Sequence, residues 1–141
     1  MPSGIKSLFV AILENGTSET GVENIITNDL IYEFTRSRKV VLVSRENADA
    51  ILSGVVTSIR VEAISHRETH TSLERRVKLQ VDLKLTDPEG SVIWSAEGIS
   101  ANESYDVMQD KPATEHNKRN AISELSKRLA ESVYNRITDN F

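Results

Sequence analysis

Val77, Leu79, Val81, Leu83 and Leu85 alternate without a break with Lys78, Gln80, Asp82 and Lys84. This is the two-residue period of a strand with one dry face and one wet face. In a helix, turning about 100° per residue, the same aliphatic side chains would point in several directions. The pattern therefore predicts an antiparallel sheet covered on one side. Pro88 cannot continue a ladder and Gly90 tolerates positive φ, so the chain is expected to turn between Thr86 and Ser91. A return strand should run from Ser91 through Val92, Ile93 and Trp94 as far as Tyr105.

The other elements follow from the same reading. Ile5 to Leu13 is apolar at both phases beyond Ser7, which suits an interior strand. Glu14 to Ser18 is turn chemistry, and Thr20 with Glu23 has the spacing of a capping box, so a helix is expected from about Gly21 to Ser37. Val22, Ile25, Ile26, Leu30 and Phe34 form its apolar stripe, and Arg36, Arg38 and Lys39 sit where the helix dipole favours cations. Val40 to Val43 predicts a short strand and Ala50 to Ile64 a long one. Simple alternation in the latter sets Val55, Thr57, Ile59 and Val61 against Val56, Ser58, Arg60 and Glu62. Ser65 to Ser72 is polar throughout and should be the projecting tip of a long hairpin. After a loop over Gln109 to Pro112, Thr114 has the chemistry of an N-cap. Ala121, Ile122, Leu125, Leu129, Val133 and Ile137 mark a second helix of about six turns, with Glu115/Arg119 and Glu124/Arg128 as supporting pairs. The order β-α-β-β-β-β-α implies one α+β domain over 1–141. Its expected architecture is a two-layer sandwich, a mixed β-sheet of four to five strands with two helices on one face.

Composition narrows the chemistry. A chain of 141 residues buries enough surface to fold without staples. The net charge of −4 and 5% aromatic content argue against a nucleic-acid binder, which needs a basic excess and stacking platforms. The absence of cysteine excludes thiol nucleophiles, disulfides and Cys-ligated zinc. No apolar run approaches the length of a membrane-spanning helix, and Met1 to Gly4 does not read as a signal peptide. There is no Gly-x-Ser-x-Gly elbow or glycine-rich phosphate loop, so neither an enzyme nor a cofactor is expected. His66, Glu68 and His70 could face one side of an extended segment like a zinc trio, but no helix fixes them and a solvated loop is the expected reading. Asp29 and Asp49 read as structural carboxylates.

Arg60, Arg67, Arg75, Arg76 and Lys78 crowd the hairpin of an acidic protein, interspersed with Glu62, Glu68 and Glu74. They describe either a solvated, charge-protected edge or a site for a phosphorylated ligand whose oxygens match arginine forks.

Taken in order, several stretches resemble the lipopolysaccharide-assembly lipoprotein family, LptE: Pro2 to Val10, Glu14 to Thr17, Gly21 to Glu23, Leu30 to Phe34, Ala48 to Gly54, the alternating strand ending in Asp87, Val92 to Trp94, Leu129 with Ala130, and Asn135 to Thr138. The resemblance spans nearly the whole chain and rests on fold-determining residues. It implies an outer-membrane lipoprotein on the periplasmic side of a Gram-negative envelope. Such a protein would sit in an LptD-like β-barrel, assist its assembly and bind lipopolysaccharide. The family's leader and lipidated cysteine do not occur in this sequence, so membrane attachment through a lipid anchor is expected from the resemblance alone. The Asn-x-Thr turn and the Ala-Asp-x-x-Leu-x-Gly strand entry are also similar to curli-secretion and penicillin-binding-protein-activator lipoproteins, an alternative as an interaction module. A hydrolase is the third reading.

Overall fold

A computed structural model describes residues 4–64 and 73–139. The elements are β1 (Ser7–Val10), β2 (Glu14–Asn15), α1 (Val22–Ser37), β3 (Val41–Leu42), β4 (Ala50–Ile64), β5 (Leu73–Thr86), β6 (Val92–Val107) and α2 (Lys111–Asp139). The strands form one mixed sheet in the order β3-β1-β4-β5-β6, with β2 lying beside β4 beyond the end of β1. β1 is parallel to β3 and β4, while β4, β5 and β6 form an antiparallel meander. The sheet thus has six strands, two of them only two residues long, which is why alternation signals revealed four to five.

β5 is the axis of the fold. Val77, Leu79, Val81, Leu83 and Leu85 are all buried, beneath a layer made of α1 and α2. From α2, Ala121, Ile122, Leu125, Leu129, Val133 and Ile137 enter the same core, each of the residues its spacing predicts. α1 contributes Val22, Ile26, Leu30 and Phe34, and the Phe34 ring meets Tyr134 of α2 edge-on at 5.1 Å. Ile25 is 38% exposed, contrary to its place in the expected stripe. Thr27 is buried in its stead, because its Oγ1 accepts the Leu13 N–H at 3.0 Å and donates to the Glu23 carbonyl at 2.6 Å.

α1 starts where expected but is capped differently, and α2 starts earlier than expected. Gly21 caps α1 at φ 89° with no side-chain bond, so the Thr20/Glu23 capping box does not form. Glu23 instead accepts from Asn15 Nδ2 at 3.2 Å, and the turn ahead of the helix is tied by Asn15 Oδ1 accepting the Thr17 N–H at 2.9 Å. α2 begins at Lys111, earlier than Thr114, and is 29 residues long. Pro112 lies in its first turn, where the missing N–H is no loss. Thr114 is within the helix and joins it to the end of β6, accepting the Met108 N–H at 2.8 Å. The expected Glu124/Arg128 pair gives way to other contacts, Glu124 with Lys127 and Arg128 across to β6, and Glu115 and Arg119 form no ion pair among the described residues.

The two aspartates are structural. Asp29 Oδ2 accepts from the buried Ser126 Oγ at 2.7 Å, joining the helices. Asp49 Oδ2 accepts the backbone N–H groups of Lys6 and Ser7 at 2.9 and 3.1 Å, fastening the entry of β4 to the start of β1.

Two outcomes follow for stability. Replacing Leu125 or Leu129, which are 0% and 1% exposed, with Ala should cost about 2–5 kcal/mol in denaturant unfolding, the range for core leucines; a loss under about 0.5 kcal/mol would mean that α2 is not docked. The two N–H donors to Asp49 hold its carboxyl below the ordinary value of 3.8. A carboxylate depressed in this way stabilises the fold above its unfolded pKa and loses that contribution as pH falls through the folded one. The difference in melting temperature between wild type and Asp49→Asn should therefore be full at neutral pH and close as pH falls below the ordinary carboxylate value of 3.8.

Candidate functional site

With both helices on one side, the opposite face of the sheet is uncovered and presents three zones. At its base, Phe9 lies beside Ile51 in the β1/β4 register, with the Arg45 guanidinium 5.0 Å above the ring. In the middle is a shallow cleft of about 410 Å³ lined by Ser53, Val55, Asp82, Lys84, Ser95 and Glu97, with Glu14 at its rim. At the far end stand Arg60, Arg76 and Lys78.

This layout depends on two bulges. Val56 is opposite Val81, but Ser58 is opposite Gln80, so Thr57 is an extra residue in β4. Side chains on the two flanks of a bulge change phase relative to sequence parity. Val56, Ile59 and Val61 consequently share the helix side, while Val55, Arg60 and Glu62 share the open side, which corrects the simple alternation expected for this strand. Nothing in the run Val55 to Ser58 announces the extra residue. In β6 the register shifts between Ala96 and Ile99, with Gly98 at φ 70° and its N–H donated to Asp82 Oδ1 at 2.8 Å. A glycine inside an alternating strand was the available signal for that one.

The bulge in β4 decides which of the basic residues meet. Arg60 is directly opposite Lys78, and Arg76 is opposite Glu62, so Arg60, Arg76 and Lys78 share the open face. All three are exposed, and among the described residues none makes an ion pair. Arg75 is opposite Ala63 and Tyr105 and points to the helix side. The adjacent arginines Arg75 and Arg76 are thus parted by the sheet. Arg67, together with His66, Glu68 and His70, lies outside the described residues.

The cleft and the basic end differ in electrostatics. Glu14, Asp82 and Glu97 outnumber Lys84 in the cleft, whereas at the hairpin end Arg60, Arg76 and Lys78 share the open face with Glu62, Glu74 and Asp106. Among the described residues no group of three His, Asp or Glu is placed to hold a metal, and no helix is long and apolar enough to cross a membrane.

The profile of the LptE family, described as lipopolysaccharide-assembly, matches residues 5–137. This chain belongs to the LptE family. The family match decides between the two lipoprotein readings of the sequence and places the protein in a family of lipopolysaccharide-assembly lipoproteins of the outer envelope. Comparison with curated proteins returns no match. Solved structures share the LptE-like fold at low identity. A minor lipoprotein from Acinetobacter baumannii superposes with a TM-score of 0.63 at 20% identity, over 96% of this chain and 92% of that one. The rare lipoprotein B from Shewanella oneidensis gives 0.59 at 14% identity, over 91% and 94%. Lipoprotein B from Nitrosomonas europaea gives 0.58 at 12% identity, over 92% and 79%.

Exposed side chains without partners contribute little to stability, typically within about 0.5 kcal/mol each. Replacing Arg60, Arg76 and Lys78 together with Ser should therefore leave the melting temperature within about 5 °C of wild type. A larger fall in thermal denaturation would show that these residues hold the sheet together.

Proposed function

We propose that this LptE-family chain is a non-enzymatic lipoprotein of the outer membrane, facing the periplasm, that assists an LptD-like β-barrel in its assembly and in inserting lipopolysaccharide, and that it binds lipopolysaccharide itself. The observation that carries the ligand assignment is the group Arg60, Arg76 and Lys78, without an ion pair among the described residues, on the uncovered face of an acidic protein. Lipopolysaccharide offers phosphates beside acyl chains. Arginine forks match phosphate oxygens, and the stems of arginine and lysine can lie along apolar chains. Arg67, which lies between β4 and β5 in the sequence, is the further member of the proposed set, whereas Arg75, on the helix side of the sheet, falls outside it.

Affinity for lipopolysaccharide should fall as salt rises, because exposed charges are screened within about 8–10 Å at ordinary ionic strength. Replacing Arg60, Arg76 and Lys78 with Ser should weaken binding at least tenfold, about 1.4 kcal/mol. Replacing Arg119 and Lys127 on the exposed side of α2 should change it by less than about threefold. Titration of labelled lipopolysaccharide at two salt concentrations distinguishes the outcomes: equal loss in both variants, or none in the first, would place the site elsewhere.

A further inference from the structure

β4 is longer than the strands that cover its outer side. β1 pairs with it over Ala50 to Leu52 and β2 over Val55 and Val56, and the last contact is the Gly16 N–H donated to the Val56 carbonyl at 2.9 Å. From Ser58 to Ile64 it is paired with β5 alone. The Val56 carbonyl points away from β5, and the extra residue Thr57 shifts that phase by one. Beyond the bulge Ser58, Arg60 and Glu62 turn their main-chain groups towards β5, while Ile59, Val61 and Ala63 turn theirs outward. Among the described residues, no hydrogen bond from elsewhere in the chain reaches the outward groups of these three.

The opposite edge of the sheet is protected. On β6 the Asn102 carbonyl accepts Arg128 Nη2 at 2.6 Å, the Asp106 carbonyl accepts Asn117 Nδ2 at 3.0 Å, and the Ser104 N–H is donated to Glu103 Oε1 at 3.3 Å. A long free strand edge is a template for pairing unless it is blocked in this manner.

We propose that the free edge of β4 pairs with the same edge of a second copy of this chain, antiparallel about a two-fold axis at Val61. The segment Ile59, Arg60, Val61, Glu62, Ala63 is complementary to itself when reversed. On the open face, Arg60 of each copy falls opposite Glu62 of the other. On the helix side, Ile59 faces Ala63 and Val61 faces its own counterpart, so that the Val61 side chain, 43% exposed in one copy, gains an apolar neighbour. Because the outward groups belong to Ile59, Val61 and Ala63, the three facing pairs form narrow, doubly bonded pairs, about six main-chain hydrogen bonds in all. Centring the axis one residue away sets Arg60 against Arg60 or Glu62 against Glu62, and like charges directly opposite are unfavourable. The interface is isologous and closes as a dimer. It goes beyond the lipopolysaccharide reading and is tested without that ligand.

A strand pair of this length buries less than about 1,000 Å², so dissociation constants from micromolar to millimolar are expected. Sedimentation of the wild-type protein from about 10 μM to about 1 mM should show monomer passing to dimer within that range. Val61→Lys, which puts two ammonium groups at the axis, should weaken the dimer at least tenfold. Arg60→Glu alone should do the same, and Arg60→Glu combined with Glu62→Arg should restore association. Since the chain has no cysteine, Val61→Cys gives a single thiol at the axis, with a Cα separation near 5.5 Å that lies within disulfide range. It should oxidise to a covalent dimer at least tenfold faster than Asn24→Cys on the exposed side of α1. Melting temperatures at low concentration check that each variant folds, and Val61→Lys, at a half-exposed position, serves if the charge reversals do not. A wild type that stays monomeric throughout overturns the proposal and leaves the edge to a strand of another protein. A dimer untouched by Val61→Lys, or a double reversal that folds and does not associate, overturns it as well.

Discussion

Everything in this fold refers back to the alternation of β5. Its odd side chains from Val77 to Leu85 are buried under the helices, at about 1.5–3 kcal/mol for each aliphatic group removed from water, so the strand cannot rotate or slip by one residue without exposing all of them. The same phase fixes which main-chain groups point left and right, even residues towards β4 and odd residues towards β6. β4 and β6 must match that phase over 15 and 16 residues, β4 with one register shift and β6 with two. At the β6 bulge the Asp82 carboxylate supplies the partner that the ladder no longer gives the Gly98 N–H.

Close packing at the centre supports this arrangement. A side chain on Gly54 would collide with the Asp82 carbonyl and with Leu83, which occupies the space above it. Leu83 is thereby buried opposite a residue that has no side chain, and the sheet stays tight where the cleft on its other face begins. The family-like stretch from Ala48 to Gly54 carries structural duties: a clamp at Asp49, core at Ala50 and Leu52, and clearance at Gly54.

Function is left to what the helices do not cover. Their placement on a single face leaves the other free, with the acidic cleft in the middle and Arg60, Arg76 and Lys78 at the hairpin end, so a net charge of −4 coexists with a local group of cations. The sheet edges are equally unlike. β6 is closed by side chains from α2 and from its own Glu103, β3 is two residues long, and among the described residues no strand covers the outer half of β4.

Much of this was legible in the residues. The alternation of β5, the turn at Asp87 to Gly90, the extent of β4 and the apolar stripe of α2 are local periodicities, and each appears in the structure because burial of one face enforces the period that the sequence carries. The LptE family was legible too, through the order of such stretches. The start of α2, the failed cap at Thr20, the exposure of Ile25 and the extra residue at Thr57 were not, since each is settled by groups that the fold brings together: Met108 with Thr114, Asn15 with Glu23, Leu13 with Thr27, and β5 with β4. The grouping of Arg60 with Arg76 and Lys78, and the parting of Arg75 from Arg76, belong to that second class. Sequence determines that side chains alternate; only the pairing of β4 with β5, with one residue bulged out, decides which alternate is shared between strands.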